Sequence, residues 1–201
     1  MKTLPLFRLL TLLFVAAAFV ACNDDDFFDD DTSPPPPPTS NQFVELALDG
    51  PNATGPVLQA GLHRFGVRFT EADLRPFVGQ ELAGISVFVG RAPASMYLSV
   101  IRGGETVPGI ETLGFDTDLS NVVEPGFYDY LFDEPIVIDD ADALWLQAEV
   151  ELAGTQQSIG CDAGPAQSGG DWLWSSDRWL TYRDRTNGSE SVNWNIRGLI
   201  E

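Results

Sequence analysis

The stretch Leu144-Trp145-Leu146-Gln147-Ala148-Glu149-Val150-Glu151-Leu152 repeats its side-chain character with a period of two. That period places every second side chain on the same face of a β-strand. We therefore predict a strand whose inward-facing residues are Leu144, Leu146, Ala148, Val150 and Leu152. The residues facing the other way would be Trp145, Gln147, Glu149 and Glu151.

Similar alternation, interrupted at short intervals by Gly, Pro, Asn and Asp, extends over residues 43–201. It predicts further strands near residues 43–48, 62–69, 84–90, 95–102, 110–115, 127–132, 136–138, 156–160, 171–175, 178–182 and 192–200. One short helix is expected after Thr70, whose side chain could cap the segment EADLRPF. So many short strands exceed one flat sheet, and we expect an all-β, two-sheet, jelly-roll-like sandwich formed by one domain, residues 43–201.

Residues 1–21 are organised like a bacterial export signal. Lys2 and Arg8 precede an apolar run that is too short to span a membrane. The next segment, Phe19-Val20-Ala21-Cys22, resembles the bacterial lipobox, with Phe19 where Leu is usual. The resemblance implies cleavage before Cys22 and acylation of its thiol, so that the lipid anchors the protein in a membrane. The alternative is an ordinary secretory signal cleaved near residues 16–18.

Residues 22–42 are predicted to form a disordered linker, because they have no hydrophobic period and contain five consecutive prolines, Pro34 to Pro38. Two runs of three aspartates follow Cys22, at residues 24–26 and 29–31. They resemble the acidic export signals of surface lipoproteins in some Gram-negative bacteria. The resemblance implies an outer-membrane protein at the cell surface. The alternative is a solvated, self-repelling tail without a sorting function.

The charge balance limits the partners. The chain has 30 acidic and 11 basic residues and a net charge of -19, which repels nucleic acid and anionic lipid headgroups. It is compatible with calcium. Five aspartates in two acidic segments are candidate calcium ligands: Asp116, Asp118, Asp139, Asp140 and Asp142. The alternative is that these segments are ordinary solvated turns.

The residues expected in catalytic sites are scarce. His63 is the only histidine, and Cys161 is the only cysteine besides Cys22. Because His63 lies on the Phe65 side of a predicted strand, we expect it at the edge of the core. We expect Cys161 to be a small buried hydrophobe. Phosphate-loop, dinucleotide and zinc motifs are absent from the sequence. We therefore predict a protein that is not an enzyme.

Aromatic residues near the end of the chain are candidates for carbohydrate binding. Trp172 and Trp174 would share one face of a strand and could stack on sugar rings. The predicted ligand-binding set is Trp172, Trp174, Trp179, Tyr182 and Arg183. The alternative is that these tryptophans pack between the sheets, as we expect for Trp194.

Three segments, residues 160–166 (GCDAGPA), 170–173 (GDWL) and 193–198 (NWNIRG), are similar to the closing portion of cleaved-adhesin modules. Such β-sandwich modules accompany gingipain-type proteases, haemagglutinins and many surface lipoproteins. The resemblance spans most of residues 62–201. It implies a jelly-roll module that binds or adheres at cell surfaces, sometimes with a structural calcium ion, and that is not itself a protease.

Two classes of function follow. The first is a non-catalytic binding or adhesion module for glycans or host proteins. The second is a structural subunit of a surface layer or envelope complex. A concave groove with a polar rim would favour a ligand, and a flat apolar patch would favour a protein partner.

Overall fold

The computed structural model describes residues 43–139 and 142–201, and β-strands dominate this part of the chain. The signal peptide, Cys22 and the linker predicted over residues 1–42 lie outside the described residues. So does Asp140. None of the helices formed by residues 43–139 and 142–201 is long and apolar enough to cross a membrane.

The described residues form twelve strands and two one-turn α-helices. The strands are β1 (Val44–Leu46), β2 (Val57–Leu58), β3 (Gly61–Phe69), β4 (Glu81–Val89), β5 (Ser95–Arg102), β6 (Ile110–Asp116), β7 (Gly126–Val137), β8 (Leu144–Leu152), β9 (Gln156–Gln157), β10 (Trp172–Ser175), β11 (Arg178–Thr181) and β12 (Ile196–Ile200). The helices are α1 (Glu71–Leu74), which continues into a 3-10 turn at Arg75–Phe77, and α2 (Tyr182–Arg185).

The strands form two main antiparallel sheets. The six-stranded sheet has the order β11-β10-β3-β8-β5-β6, and the four-stranded sheet has the order β1-β12-β4-β7. A short ribbon pairs β2 with β9. The chain changes sheets from β3 to β4, from β4 to β5, and again around β7. The predicted all-β, jelly-roll-like sandwich is therefore confirmed.

The core lies between the two sheets, and β8 is central to it. As predicted, the side chains of Leu144, Leu146, Ala148, Val150 and Leu152 are all buried. From the other sheet, β4 and β12 contribute the buried residues Ile85 and Ile196. Trp194 is fully buried, as predicted, and meets the ring of Phe65 edge-on at 5.1 Å. Burying these apolar side chains is the main source of stability.

Helix α1 begins as predicted. The Thr70 side chain accepts a hydrogen bond from the backbone N–H of Asp73, and the Asp73 carboxylate accepts one from the backbone N–H of Thr70. This reciprocal capping box satisfies two N–H groups that have no partner within the helix. Helix α2 and strand β2 were not predicted.

The structure corrects three predicted strand bounds. Residues 127–132 and 136–138 were expected in separate strands but belong to the single strand β7, whose pairing register with β4 shifts between Leu82 and Gly84. Pro135 lies in this irregular stretch, where a missing N–H costs no regular ladder bond. The strand expected over 192–200 begins only at Ile196. The strand expected over 156–160 ends at Gln157, and beyond it Ile159 and Cys161 form only isolated β-bridges.

Candidate ligand-binding groove

The candidate site lies on the outer face of the six-stranded sheet, which is the face directed away from the core. The alternate residues of β8 lie there, as predicted, and two of them are covered. Trp145 is fully buried and Gln147 is only 7% exposed, whereas Glu151 remains exposed. The covering groups come from the β5–β6 loop and from β11.

The β5–β6 loop, residues 103–109, folds back over the outer face. The carbonyl oxygen of Gly104 accepts hydrogen bonds from Trp145 Nε1 at 3.1 Å and from Arg68 Nε at 2.9 Å. Gly104 has a φ of +87°, and a Cβ there would lie 2.0 Å from the Val107 carbonyl oxygen, so only glycine fits this turn. The loop thereby brings Val107 and Pro108 to one side of a groove.

A cluster of tryptophans closes the opposite side. The ring of Trp145 lies 5.5 Å from that of Trp172 and 5.9 Å from that of Trp179. Gly66 lies beneath two of these rings, and a Cβ there would come within 3.2 Å of both Trp145 and Trp179. The missing side chain at Gly66 lets Trp179 lie over the sheet, where it lines the groove.

The groove between these sides has a volume of about 390 Å³ and crosses β3, β8, β5 and β6. This volume is within the range of small-molecule sites. The groove is mainly polar, and four carboxylates and one guanidinium line it. These charged residues are Glu111, Asp116, Glu149, Glu151 and Arg64.

Arg64 is held in place from two directions. Its guanidinium forms an ion pair with Glu149 on the neighbouring strand β8 and lies 4.4 Å from the centre of the Trp174 ring. A cation above an aromatic face is attracted by the negative charge of the ring face. Trp174 therefore orients a charged residue of the groove, although it does not line the groove itself.

Tyr97 lies at the acidic end of the groove. Its hydroxyl donates a hydrogen bond to Glu111 Oε1 at 3.0 Å. Burial, this hydrogen bond and the nearby charges of Glu111, Asp116 and Glu149 raise the pKa of Tyr97. A Cβ at Gly114 would lie 1.9 Å from the Tyr97 hydroxyl oxygen, so the glycine provides the space for the phenol. Tyr97 thus stays protonated and marks where the carboxylates converge.

Gln147 lines the groove from the central strand β8, where its register partners are Gly66 on β3 and Ser99 on β5, and Glu149, two residues further along, lies between Arg64 and Tyr97. Within residues 43–139 and 142–201, its side-chain amide has no hydrogen-bond partner. Ser99, its register partner on β5, also has a fully buried hydroxyl without a partner in the same part of the chain. Buried polar groups in native proteins are almost always hydrogen-bonded. Unlike the Ser99 hydroxyl, the Gln147 amide is not fully enclosed and reaches the space of the groove, where its donors and its acceptor are available to a ligand.

The three segments that carry the family resemblance meet away from this groove. Asp162 accepts hydrogen bonds from the N–H groups of Gly50, Gly164 and Asn193 and from the Asn193 side chain. The Trp194 N–H donates to the Gly170 carbonyl. The segments therefore join the end of the chain to the sandwich, and their contacts are structural.

Neither the family models nor the curated proteins include a match. One solved structure that this chain matches contains the cysteine protease and lectin-like domains of a surface layer associated protein of Clostridium difficile. The TM-score is 0.49 at 7% identity, and the match covers 71% of this chain and 33% of that one. The resemblance to cleaved-adhesin modules therefore rests on the sequence motifs.

The predicted ligand-binding residues are distributed over four places. Trp179 lines the groove, while Trp172 and Arg183 line a second cavity of about 530 Å³. Trp174 holds Arg64. Tyr182 packs 5.2 Å from the core residue Trp194. Trp172 and Trp174 share the outer face of β10, opposite the buried Leu173, and ligand binding by this set stays a prediction.

Tyr97, Glu111 and Gln147 were not predicted as site residues. They come from three strands that are distant in sequence, and only the strand order brings them together. One signal in the sequence pointed to Gln147. The outward positions of β8 carry Gln147, Glu149 and Glu151, and such a polar row can face either water or a ligand.

The predicted calcium ligands are separated. Asp116 lines the groove, Asp118 accepts a hydrogen bond from the Ser120 N–H that lowers the pKa of Asp118, and Asp139 pairs with Arg102 at 2.5 Å. Asp142 lines a small cavity beside Asp139. Among the described residues, three or more His, Cys, Asp or Glu side chains nowhere gather as a metal site would require. Calcium binding stays a prediction.

His63 and Cys161 are both buried, as predicted. His63 Nε2 lies 2.9 Å from the Gln59 carbonyl oxygen. Burial, assisted by the charges of Asp162 and Glu190, raises the pKa of the Cys161 thiol to about 11. The thiol is therefore protonated at neutral pH, which does not suit a nucleophile.

Proposed function

We propose that this protein is a non-catalytic lipoprotein of the cell surface whose sandwich domain binds glycans in the groove on the outer face of the six-stranded sheet. The observation that carries the proposal is the unpaired amide of Gln147 in a concave, polar groove. An amide offers both donors and acceptors. A sugar hydroxyl can accept a hydrogen bond from the amide nitrogen or donate one to the amide oxygen.

The other groups in the groove also suit sugars. The carboxylates accept hydrogen bonds from hydroxyl groups, while Trp179 and Tyr97 offer aromatic surface to the apolar faces of a sugar ring. Arg64 is fixed by Glu149 and Trp174, so binding would cost little of its conformational entropy. The groove is therefore largely preorganised.

The proposal also includes the location of the protein, which is anchored in a membrane and exposed at the cell surface. Acylated Cys22 would anchor the chain, and the polyproline spacer would hold the domain away from the membrane. Many anchored copies would bind a glycan surface multivalently, so that modest single-site affinity suffices. Palmitate incorporation that is lost in Cys22→Ala would support the anchor. Degradation of the domain by protease added to intact cells would support surface exposure, and protection would contradict it.

The binding test uses the mature chain, with Cys22→Ser to prevent acylation, on a glycan array followed by calorimetry. Gln147→Leu should weaken binding to the glycans retained by the wild type about tenfold, which corresponds to one good hydrogen bond. Gln157→Leu is the control, since Gln157 is exposed, lies outside the groove and already donates to Gly55. Absence of binding to every glycan, or unchanged affinity in Gln147→Leu, would contradict the proposal.

A structural role between copies of this chain is the second candidate. Strand β7 is twelve residues long and lies at the edge of the four-stranded sheet, where Leu131 and Val137 are more than half exposed. Exposed edge strands can pair with another chain. Sedimentation of the mature chain at rising concentration would reveal such self-association, and a strict monomer would rule out this surface.

A further inference from the structure

We propose that the groove selects glycans whose sugars carry a free amino group over the same glycans in N-acetylated or acidic form. This inference rests on the proposed function and adds the chemical class of its ligand. It depends on how the charges of the groove are paired.

The groove has a net charge of -3, because four carboxylates face one guanidinium. Arg64 is committed to Glu149. In the described part of the chain, Glu111, Asp116 and Glu151 have no cationic partner. Glu111 accepts only the Tyr97 hydroxyl. Three carboxylates thus remain for a cation that the described residues do not supply.

The carboxylates alone would indicate only a solvated acidic surface. Gln147 adds an independent observation, because the residue is 93% buried, lines the same groove, and has a side-chain amide without a hydrogen-bond partner in the described residues. A ligand that satisfies both features needs a cationic group for the carboxylates and a neutral polar group for the amide. An amino sugar has an ammonium group and hydroxyls on one ring, whereas an acidic sugar would be repelled.

The position of the ammonium group follows from Tyr97. Its hydroxyl donates to Glu111 at 3.0 Å, and its register partners are Asp116 on β6 and Glu149 on β8. A cation bound beside the phenol would be within reach of Glu111 and Asp116 and would also face the aromatic ring. The hydroxyls of the same sugar would then extend along β8 toward Gln147.

The test compares oligosaccharides of several linkages, each prepared in two matched forms, one with free amines and one with N-acetyl groups. Binding is measured at a pH below the pKa of the amines. Calorimetry on the mature chain should give affinities about tenfold higher for the amine form, and the difference should shrink as salt screens the charges. Uronic-acid oligosaccharides should not bind. Equal affinity for the two forms, with binding still sensitive to Gln147→Leu, would overturn the charge inference and leave glycan binding intact.

The double variant Glu111→Gln with Asp116→Asn should lose the preference for amines, so that the ratio of its affinities for the amine and N-acetylated forms falls from about ten to about one. The control is Asp133→Asn with Glu134→Gln, which removes the same charge from exposed positions on β7. A control that loses the preference equally would show that net charge, and not the groove, attracts the ligand. Binding of oligolysine as tightly as of the amino sugar would also overturn the inference. If no oligosaccharide of either form binds, the proposed function itself fails.

Discussion

Asn193 donates two hydrogen bonds to the carboxylate of Asp162, one to each oxygen. The backbone N–H reaches Oδ1 at 2.7 Å, and the side-chain amide reaches Oδ2 at 2.9 Å. The N–H groups of Gly50 and Gly164 complete the set at 3.0 and 2.8 Å. One buried carboxylate thus connects the start of the domain, the GCDAGPA segment and the last segment of the chain.

Replacing Asp162 should destabilise the domain strongly. Asp162→Ala leaves four N–H donors without their acceptor, and we expect a loss of about 3 kcal/mol in the free energy of unfolding. Urea denaturation at neutral pH measures it. Asp133→Ala, at an exposed position, is the control and should change stability little.

The contribution of Asp162 should also depend on pH. Burial alone would raise its pKa, but the hydrogen bonds from Asn193, Gly50 and Gly164 lower it below the usual range. A depressed folded-state pKa stabilises the protein above the unfolded-state pKa of about 4, and this stabilisation is lost as pH falls through the folded value. The stability difference between the wild type and Asp162→Asn should therefore narrow below about pH 4. A constant difference would contradict the assignment.

The strands were more predictable than the groove for a physical reason. Strand β8 has the predicted bounds, because a period of two in side-chain burial is local information. The groove depends on β5, β6 and β8 becoming neighbours, and such long-range pairing is not encoded in any one segment. Trp172 and Trp179 are only seven residues apart and both contact the ring of Trp145, yet they line different cavities.

Burial of Gln147 could not be deduced from β8 either. Its exposure depends on the β5–β6 loop, whose backward fold requires the positive φ of Gly104 and its hydrogen bonds to Trp145 and Arg68. A Gly-Gly pair predicts a turn but not the direction in which the loop leaves it. The site therefore depends on tertiary contacts that no single segment of the sequence encodes.

Arg197 and Asp49 form a buried ion pair. Replacing only one of the two charged residues should destabilise the domain. The side chain of Asp49 is fully buried, and Arg197 donates to both of its oxygens at 2.8 to 3.1 Å. Arg197→Met leaves that carboxylate without its cation, so we expect a loss of about 3–5 kcal/mol. Chemical denaturation of both single variants and of Asp49→Asn with Arg197→Met completes a double-mutant cycle.

The double variant should lose clearly less stability than the sum of the single variants, since neither charge is then left buried alone. Arg75→Met is the control, because Arg75 and Glu71 form an exposed pair at 3.6 Å that should contribute less than about 1 kcal/mol. Additive losses in the cycle would show that the buried pair is not coupled.

Cys161 should react with thiol reagents only when the protein unfolds. Because burial raises the pKa of its thiol to about 11, the reactive thiolate is scarce in the folded protein at neutral pH. The unfolded chain ionises at lower pH, so stability should fall as pH rises from about 8.5 through the folded-state pKa. Labelling with a disulfide reagent, with and without denaturant, measures the reactivity. Rapid labelling of the folded protein would contradict the burial, and Cys161→Ser serves as the blank.

Gln147→Leu should stabilise the domain while weakening its binding. Gln147 is only 7% exposed and its amide has no hydrogen-bond partner in the described residues, so the amide is incompletely solvated and costs part of the roughly 1–3 kcal/mol that a fully buried unpaired group would cost. Leucine is of similar size and has no polar atoms, so we expect the free energy of unfolding to rise by about 1 kcal/mol. Gln157→Leu, which removes a 2.7 Å hydrogen bond to the Gly55 carbonyl oxygen, should not stabilise. Thermal and urea unfolding of both variants make the comparison. A destabilised Gln147→Leu variant would show that the amide stabilises the fold. A stabilised variant that binds glycans poorly would show that Gln147 contributes to ligand binding at the expense of stability.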